Sequence, residues 1–506
     1  MRICLIAAPV IAAVMSVTSD YNRHPDEIHH FEAARYYVDH FLPPEIGDPD
    51  VRNSYSVWGV SYLNYHWIEY FLAGKFMLLA TPLIGSEILA ARLFNILLFA
   101  GLAGFFLYKS KDDEYALLIP SLLLITPQVW YVFSYVNNDA FPLAVSFLLV
   151  YQAAYPKSSL HRFLGREEFP GFVRGGLGVG LLLGLMLISK TNYYAFLIFL
   201  GLWLLYKFPI VTISEARPRV SMPDLKRFAL LAIVGASVLA FRCALDFYVN
   251  GETNFVAASY VNYIAGNFEK QESRLMKYQE QIAAPPFKPS TVERDLSATY
   301  PTMRLKDKGA DYVDIFTRFG WHSESFKSFV GVYGYMTVYS PKWYYAVMAL
   351  IYAAVFVYLM GTALGSRRPE EMVAMLVLII GFAICLFVSS YLSWSYAFQA
   401  QGRYLFPILP MMAVFAYVVR ERIDGRVWAV TVTVCFLLSL YSFVAVGMKN
   451  VDSVPVPDAT VHLSGGFSGF EKRRAIAGFF GFHAVTNLQF ESLAECREEL
   501  PDQFRI

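Results

Sequence analysis

Apolar stretches of about 20 residues recur along this chain, and they constrain its fold more than any other feature. Each is long enough to cross about 30 Å of hydrocarbon as a helix. The composition agrees, since 56% of the residues are hydrophobic and only 16% are charged. We therefore predict an all-α polytopic membrane protein with about 11 transmembrane helices. The predicted spans are 2–18, 88–108, 115–134, 140–155, 172–189, 191–208, 227–249, 343–363, 371–392, 404–419 and 427–447.

The apolar segment 67–84 decides the predicted topology. If it crossed the membrane, the basic loops after it would lie outside, against the usual cytoplasmic bias of lysine and arginine. Glu69, Gly74 and Lys75 interrupt the segment, which suits a helix lying at the membrane surface. We therefore predict that 67–84 does not cross. The following cationic residues then all lie at cytoplasmic ends: Arg2, Lys109, Lys157, Lys207, Arg367 and Arg420.

This topology divides the chain into a membrane domain, residues 1–447, and an extracytoplasmic tail, residues 448–506. Two large loops of the membrane domain, 19–87 and 250–342, also lie outside. The net charge is +1, so nothing indicates nucleic-acid binding. The five cysteines include no pair with the spacing of a metal or redox site.

Acidic and basic residues from distant parts of the sequence fall on the outer face in this topology. Such a convergence of ionisable groups predicts an active site at that face. The motifs that converge are His24-Pro25-Asp26-Glu27, Asn137-Asn138-Asp139, Ser189-Lys190-Thr191 and Gln401-Gly402-Arg403-Tyr404.

The acidic pair Asp26 and Glu27 follows the first span. Pro25 fits the first position of a helix, which puts both acids in its first turn. His30 lies one turn later on a face shared with Asp26. We take Asp26 and Glu27 as candidate catalytic residues and His30 as a candidate substrate-binding residue. Two alternatives stay open, namely acids that only complement the helix dipole and a histidine-ligated Zn²⁺ or Mn²⁺ ion.

Asp139 and Lys190 lie at the outer edges of predicted spans. Asp139 is a candidate catalytic carboxylate facing Asp26, although it could instead cap the helix that follows. Its neighbour Asn138 is a candidate substrate-binding residue. A lysine beside apolar runs is costly unless it pairs, lines a cavity or snorkels to the headgroups. Lys190 is therefore a candidate ligand of a phosphate at headgroup level, with snorkelling as the alternative.

Arg403 is the second candidate phosphate ligand, because an arginine fork binds phosphate oxygens in pairs. Gly402 allows a close backbone approach beside it, and Tyr404 is included with it as a substrate-binding candidate. The alternative is that Arg403 and Tyr404 only anchor a span at the interface. Arg92, in Ala90-Ala91-Arg92-Leu93, is a weaker third cation on the same face.

An aromatic region of the second outer loop begins at Trp321 and His322. It could pack the outer loops onto the membrane, or it could stack on sugar rings. We include both residues as substrate-binding candidates.

Together, these motifs resemble the GT-C superfamily of membrane glycosyltransferases, and in particular the DUF2142-type membrane proteins. The resemblance covers about residues 1–447. It implies a GT-C-like transmembrane bundle with extracytoplasmic juxtamembrane helices, and it places Asp26 at the catalytic acid/base position. The chain departs at Asn64-Tyr65-His66-Trp67, where many such enzymes carry a Pro-Pro element, and this departure leaves the acceptor class open.

The resemblance implies an inverting glycosyltransferase on the outer face of a bacterial inner membrane. It would move a sugar from a polyprenyl-phosphate donor to a hydroxyl of a glycan, lipid or protein acceptor. Asp26 would deprotonate that hydroxyl, and Lys190 and Arg403 would neutralise the departing phosphate. A divalent cation, Mg²⁺ or Mn²⁺, bound by Asp26 or Asp139 could share that task.

Other functions stay open at this point. A transporter of lipid-linked glycans would be expected to carry charge within its spans and paired broken helices. An O-antigen-type ligase or polymerase would be expected to use an arginine-rich outer loop in place of Asp26. A non-catalytic scaffold would not explain the converging charges.

Overall fold

The computed structural model of the protein describes residues 1–165, 172–214, 217–252, 274–366 and 368–453, and these are mostly helical. The first ten α-helices are α1 Arg2–Thr18, α2 Glu27–Asp39, α3 Glu69–Ile84, α4 Glu87–Lys109, α5 Leu118–Ser121, α6 Pro127–Ser134, α7 Ala140–Ala154, α8 Ser159–Leu164, α9 Val179–Leu187 and α10 Tyr194–Lys207. The others are α11 Met222–Asn250, α12 Arg274–Ile282, α13 Pro289–Arg294, α14 Asp314–Thr317, α15 Trp321–Gly331, α16 Lys342–Ser366, α17 Pro369–Ser395, α18 Ile408–Val418 and α19 Gly425–Leu440. Two antiparallel hairpins pair β1 Val211–Ser214 with β2 Arg217–Val220, and β3 Val332–Tyr333 with β4 Val338–Tyr339.

Several of these helices could cross a membrane. Among the described residues, five are long and apolar enough, namely Glu87–Lys109, Met222–Asn250, Lys342–Ser366, Pro369–Ser395 and Gly425–Ser453. Shorter apolar helices occupy Arg2–Thr18, Ala140–Ala154, Arg174–Leu187 and Gly402–Val418. The prediction of a helical membrane protein is therefore confirmed, whereas the count of about 11 spans stays a prediction.

The predicted span 115–134 is not one helix. A 3-10 turn, the one-turn helix α5 and the eight-residue α6 replace it. Pro120 and Pro127 explain the breaks, because proline has no backbone N–H donor and disfavours a helical conformation in the residue before it. The side chains of the stretch are almost all buried in the protein, where irregular backbone can be satisfied at membrane depth.

Helices α2 and α3 follow the first helix, pack side by side and run in the same direction. Helix α3 coincides with the segment 67–84 and is not among the candidate spans of the described residues. Gly74 allows the close approach, because a Cβ atom there would overlap the backbone of Ala34 and the side chain of Tyr37. That α3 lies at the membrane surface stays a prediction.

Charged residues gather at two opposite ends of the helices. At the end predicted to be cytoplasmic, Lys207 pairs with Glu370 at 2.6 Å and Arg368 pairs with Glu421 at 2.8 Å. The other end holds the predicted active-site residues and is described below. Most of the predicted tail, Arg367 and residues 253–273 of the second outer loop lie outside the described residues.

Candidate active site

Asp26 occupies a tight turn between α1 and α2. Helix α2 begins at Glu27, so Asp26 precedes the first turn and does not lie within it as the sequence predicted. Its backbone is left-handed, with φ 58°, a conformation that is uncommon for a residue other than glycine. The Asp26 side chain makes no capping hydrogen bond to the helix. Its Oδ2 atom instead accepts a hydrogen bond from the hydroxyl of Tyr62 at 3.3 Å.

His30 is linked to Asp26 through Tyr62. The rings of His30 and Tyr62 stack with centroids 4.0 Å apart and planes inclined by 7°. The Nδ1 atom of His30 lies 2.7 Å from the hydroxyl of Tyr70, and its Nε2 atom has no hydrogen-bond partner among the described residues. Burial lowers the pKa of His30, with smaller contributions from Arg403 and Lys190. The imidazole is therefore neutral near pH 7.

Glu27 and Arg92 form a buried ion pair behind Asp26. The guanidinium donates to both carboxylate oxygens, at 2.7 and 2.8 Å. Its remaining donors reach the carbonyls of Ser16, Ser19 and Asp20, at 2.7 to 2.9 Å. Because α1 ends in this segment, the pair ties α1, α2 and α4 together. Protein groups therefore occupy all five donors of Arg92 and bond both carboxylate oxygens of Glu27.

Asp139 and Lys190 form a second buried ion pair. The ammonium lies 2.8 Å from each carboxylate oxygen of Asp139. The cap of α7 is provided by Asn137, whose side-chain oxygen accepts from the amides of Asp139 and Ala140. The Asp139 carboxylate therefore does not cap α7, and the Lys190 ammonium pairs inside the protein and does not snorkel. Burial lowers the pKa of Lys190 to about 8, against the opposing influence of Asp139.

Arg403 connects the two aspartates. Its Nη2 atom lies 3.8 Å from Asp26 Oδ2 and its Nη1 atom 3.8 Å from Asp139 Oδ2. Its Nε atom donates to Gln401 Oε1 at 2.7 Å, while Nη1 is buried without a hydrogen-bond partner. The close approach predicted at Gly402 is present, because a Cβ atom there would overlap the backbone of Phe329.

Tyr404 and Asn138 lie beside this cluster. The Lys190 ammonium is 5.0 Å from the centroid of the half-buried Tyr404 ring, and the Tyr404 hydroxyl donates to Gln399 at 2.5 Å. Asn138 is buried next to Asp139. We use the name charge cluster for Asp26, Asp139, Lys190 and Arg403.

Trp321 and His322 are not part of the charge cluster. The indole of Trp321 is buried and donates to Ser393 at 2.9 Å, whereas His322 is exposed next to Phe316. Within the described part of the chain, neither forms a hydrogen bond or ion pair with the cluster. The environment of Trp321 matches the packing alternative of the sequence analysis.

The charge cluster does not fit a divalent cation well. Both Asp139 oxygens already accept from Lys190, and Arg403 lies between the two carboxylates. Two cations therefore balance the two anions where a metal ion would have to bind. In the ranges that the structure describes, no three His, Cys, Asp or Glu side chains are grouped so as to hold a metal.

Comparison with known proteins places the chain in a family. The family model for "Predicted membrane protein (DUF2142)" matches residues 45–412. The chain belongs to the DUF2142 family. The matched region of this DUF2142 protein includes Asp139, Lys190 and Arg403, while Asp26 precedes it.

One solved structure is similar to this DUF2142 protein over 94% of its length and 69% of that chain. It is ArnT from Cupriavidus metallidurans bound to undecaprenyl phosphate, with 13% sequence identity and a TM-score of 0.41. No curated protein matches significantly.

Sequence reasoning missed three residues next to the charge cluster. Tyr62 and Tyr70 stand among many tyrosines and carry no motif. Glu69 was interpreted only as an interruption of an apolar segment. Its position, two residues from the segment's start, gave no sign that the side chain is 2% exposed and lacks a hydrogen-bond partner for either oxygen among the described residues.

Proposed function

We propose that this DUF2142 protein is an inverting glycosyltransferase that takes a sugar from a polyprenyl-phosphate donor at the extracytoplasmic face of a bacterial inner membrane. The acceptor is a hydroxyl of a cell-envelope glycan, lipid or protein. The observation that carries the proposal is the charge cluster, in which Arg403 lies 3.8 Å from both Asp26 and Asp139 while Lys190 binds Asp139 at 2.8 Å.

Lys190 and Arg403 are the groups that would bind the donor phosphate. Two of the three ammonium donors of Lys190 are directed at Asp139, which leaves one for a ligand. The buried Nη1 of Arg403 has no hydrogen-bond partner in the described structure, so a phosphate oxygen would satisfy it. Positive groups fixed in a buried site stabilise the charge that develops on a leaving phosphate.

Asp26 is the carboxylate best suited to act as the base. Its nearest partners, Tyr62 and Arg403, are at 3.3 and 3.8 Å, whereas Asp139 is held at 2.8 Å by Lys190. Its side chain is 16% exposed and that of Asp139 is fully buried. A base that must receive a proton from a bound hydroxyl needs such an accessible oxygen.

The proposed reaction uses these positions. Asp26 takes the proton of the acceptor hydroxyl as that oxygen forms a bond to the anomeric carbon. The bond between the anomeric carbon and the phosphate oxygen breaks on the opposite face, and its electron pair leaves with the polyprenyl phosphate. Glu27 and Arg92 hold the Asp26 turn against α1 and α4, so we assign them a positioning role in this proposal.

Binding of undecaprenyl phosphate to the protein in nanodiscs tests the phosphate site. We expect Arg403→Ala to weaken binding about 10-fold to 100-fold, the effect of losing a charged hydrogen bond, and Arg403→Lys to restore it in part. Arg318→Ala, at an exposed ion pair with Asp314, is the matched control and should bind normally. Unchanged affinity in Arg403→Ala would overturn the proposed site.

Turnover tests the base. Undecaprenyl-phosphate sugars are offered one at a time as donors. We expect Asp26→Asn to bind undecaprenyl phosphate normally but to form it from the donor at least about 100-fold more slowly. Near-normal turnover of this variant would remove Asp26 from the mechanism. Transfer from a nucleotide sugar without a lipid carrier would overturn the donor class, and movement of the intact lipid-linked sugar across the bilayer would indicate a transporter.

A further inference from the structure

We infer that Glu69 is a third ligand of the donor phosphate, as an electrically neutral carboxylic acid that donates a hydrogen bond to a phosphate oxygen. The inference rests on the proposed function and adds to it a binding group of a different kind. Lys190 and Arg403 bind the phosphate by charge, whereas Glu69 would bind it without changing the charge of the site.

The backbone holds Glu69 at the charge cluster. It is the first residue of α3, and the amide of its neighbour Ile68 donates to the carbonyl of Ile188 at 2.9 Å. Ile188 is two residues from Lys190, so this bond attaches the start of α3 to the segment that carries the lysine. Tyr70, the residue after Glu69, forms a hydrogen bond with His30 through its hydroxyl at 2.7 Å.

The Glu69 side chain is buried without a partner. It is 2% exposed, and neither carboxylate oxygen has a hydrogen-bond partner among the described residues. Lys190 is close enough to influence it electrostatically but is already directed at both oxygens of Asp139. A buried ionised carboxylate without a dedicated partner is strongly unfavourable. The group avoids that cost by keeping its proton.

The charges around Glu69 agree with a neutral acid. Burial raises the pKa of the Glu69 carboxyl well above its usual range; the residue's own backbone amide and Lys190 oppose this shift, and Asp139 adds to it. Tyr70 on the same helix and His30 facing it are neutral groups near pH 7. A protonated carboxyl has one O–H donor, and that donor needs an acceptor from outside the described protein groups.

A phosphate oxygen is the acceptor that the site would bring there. Lys190 and Arg403 are 8% and 9% exposed, so a phosphate that reaches them enters the same buried region as Glu69. The cluster already balances two carboxylates with two cations. A neutral donor can therefore stabilise the oxygen that gains charge as the sugar leaves, without adding an unpaired charge to the protein.

Two substitutions of similar size distinguish hydrogen-bond donation by a neutral Glu69 from an effect of a negative charge at this position. Glu69→Gln keeps a hydrogen-bond donor, and we expect its affinity for undecaprenyl phosphate to stay within about threefold of the native value. Glu69→Met has no donor and should bind about 10-fold or more weakly. Equal losses in both variants would show that the negative charge is what matters, and no loss in either would show that Glu69 does not touch the ligand. Either outcome would overturn the inference.

Inorganic phosphate, added to the same nanodiscs, distinguishes a lipid phosphate site from a general anion site. We expect it to compete only weakly with undecaprenyl phosphate, and to do so less in Glu69→Met than in the native protein. Competition that is identical in the two proteins would contradict a contact between Glu69 and the phosphate.

Infrared difference spectra report the proton itself. A carbonyl band of a protonated carboxylic acid should be present in the native protein, shift when undecaprenyl phosphate is added, and be absent in Glu69→Gln. If the band shifts but no sugar is transferred, the proposed function fails while the inference on phosphate binding stands. If transfer proceeds and no such band belongs to Glu69, only the inference fails.

Discussion

Lys190 shows how strongly the chemistry of a single residue depends on its surroundings in this protein. Among the described residues it is held by Asp139, faces the ring of Tyr404 and influences Glu69. Burial lowers its pKa from 10.5 to about 8, so part of its charge is lost within an accessible pH range. Only the protonated form can bind a phosphate by charge.

The affinity for undecaprenyl phosphate should therefore fall as pH rises above about 8. A phosphate monoester has its second pKa at about 6, so the ligand keeps a constant charge in this range. Below pH 8 Lys190 already carries its proton, and above it binding requires proton uptake, which costs up to about tenfold in affinity per pH unit. Lys190→Arg should remove the decline, because arginine stays charged. A titration that is flat in the native protein, or equally steep in Lys190→Arg, would contradict this assignment.

The residues of the charge cluster could be predicted because a charged side chain beside an apolar span is energetically costly. A lysine or an acid next to an apolar span needs a partner, and this reasoning selected Asp26, Asp139, Lys190 and Arg403. It could not pair them, because the pairs join residues 51 positions apart in one case and much more in another. Glu69 was not predicted, because a glutamate near the start of a helix is common and its sequence position does not show that the side chain is buried.

At the scale of elements, the parallel pair of helices α2 and α3 positions the candidate base. Helix α2 carries His30 and begins directly after Asp26, and α3 supplies Glu69 and Tyr70. The two helices touch at Gly74, where a Cβ atom would overlap the backbone of Ala34. Their spacing therefore sets the distance between the base and the proposed phosphate ligands.

Gly74→Ala should force these two helices apart. We expect it to lower the free energy of unfolding by about 1–3 kcal/mol, as overpacking does. It should also weaken undecaprenyl phosphate binding, because α2 and α3 move relative to each other. Gly104→Ala is the matched control, since Gly104 lies within α4 and an added Cβ atom there meets nothing within 4 Å. That variant should be neutral or slightly more stable, and equal behaviour of the two variants in thermal unfolding would argue against the contact.

Sequence periods predicted elements well where the chain is regular and failed where proline interrupts it. The apolar segment 67–84 corresponds to α3 at Glu69–Ile84, and the predicted span 343–363 lies inside α16. The segment 115–134 has a suitable length and hydropathy, but Pro120 and Pro127 divide it. Apolar composition indicates burial in lipid or protein alike, so it could not reveal that this stretch is enclosed by neighbouring helices.

At the scale of the whole molecule, the function depends on which side of the membrane the charge cluster occupies. The outer face of a bacterial inner membrane has no supply of nucleotide sugars, so an enzyme there needs a donor carried by the membrane itself. A cluster on the cytoplasmic side would have no such need. The cytoplasmic bias of the basic loops predicts the side of Asp26 once it is known whether α3 crosses between Asp26 and the first of those loops.

Single cysteines in a cysteine-free background test that number. Asp50 lies before α3 and Lys111 lies after α4, and both are exposed. If α4 alone crosses between them, Asp50→Cys and Lys111→Cys should react with an impermeant reagent from opposite sides of the membrane, Asp50→Cys from outside. If α3 also crosses, both cysteines react from the same side. If both react from outside, the basic loop at Lys109 lies outside, against the cytoplasmic bias of lysine and arginine. If Asp50→Cys reacts from inside, Asp26 is on the cytoplasmic side and the reason for a lipid-linked donor is gone, whereas its reaction from outside places Asp26 on the face where only such a donor can reach it.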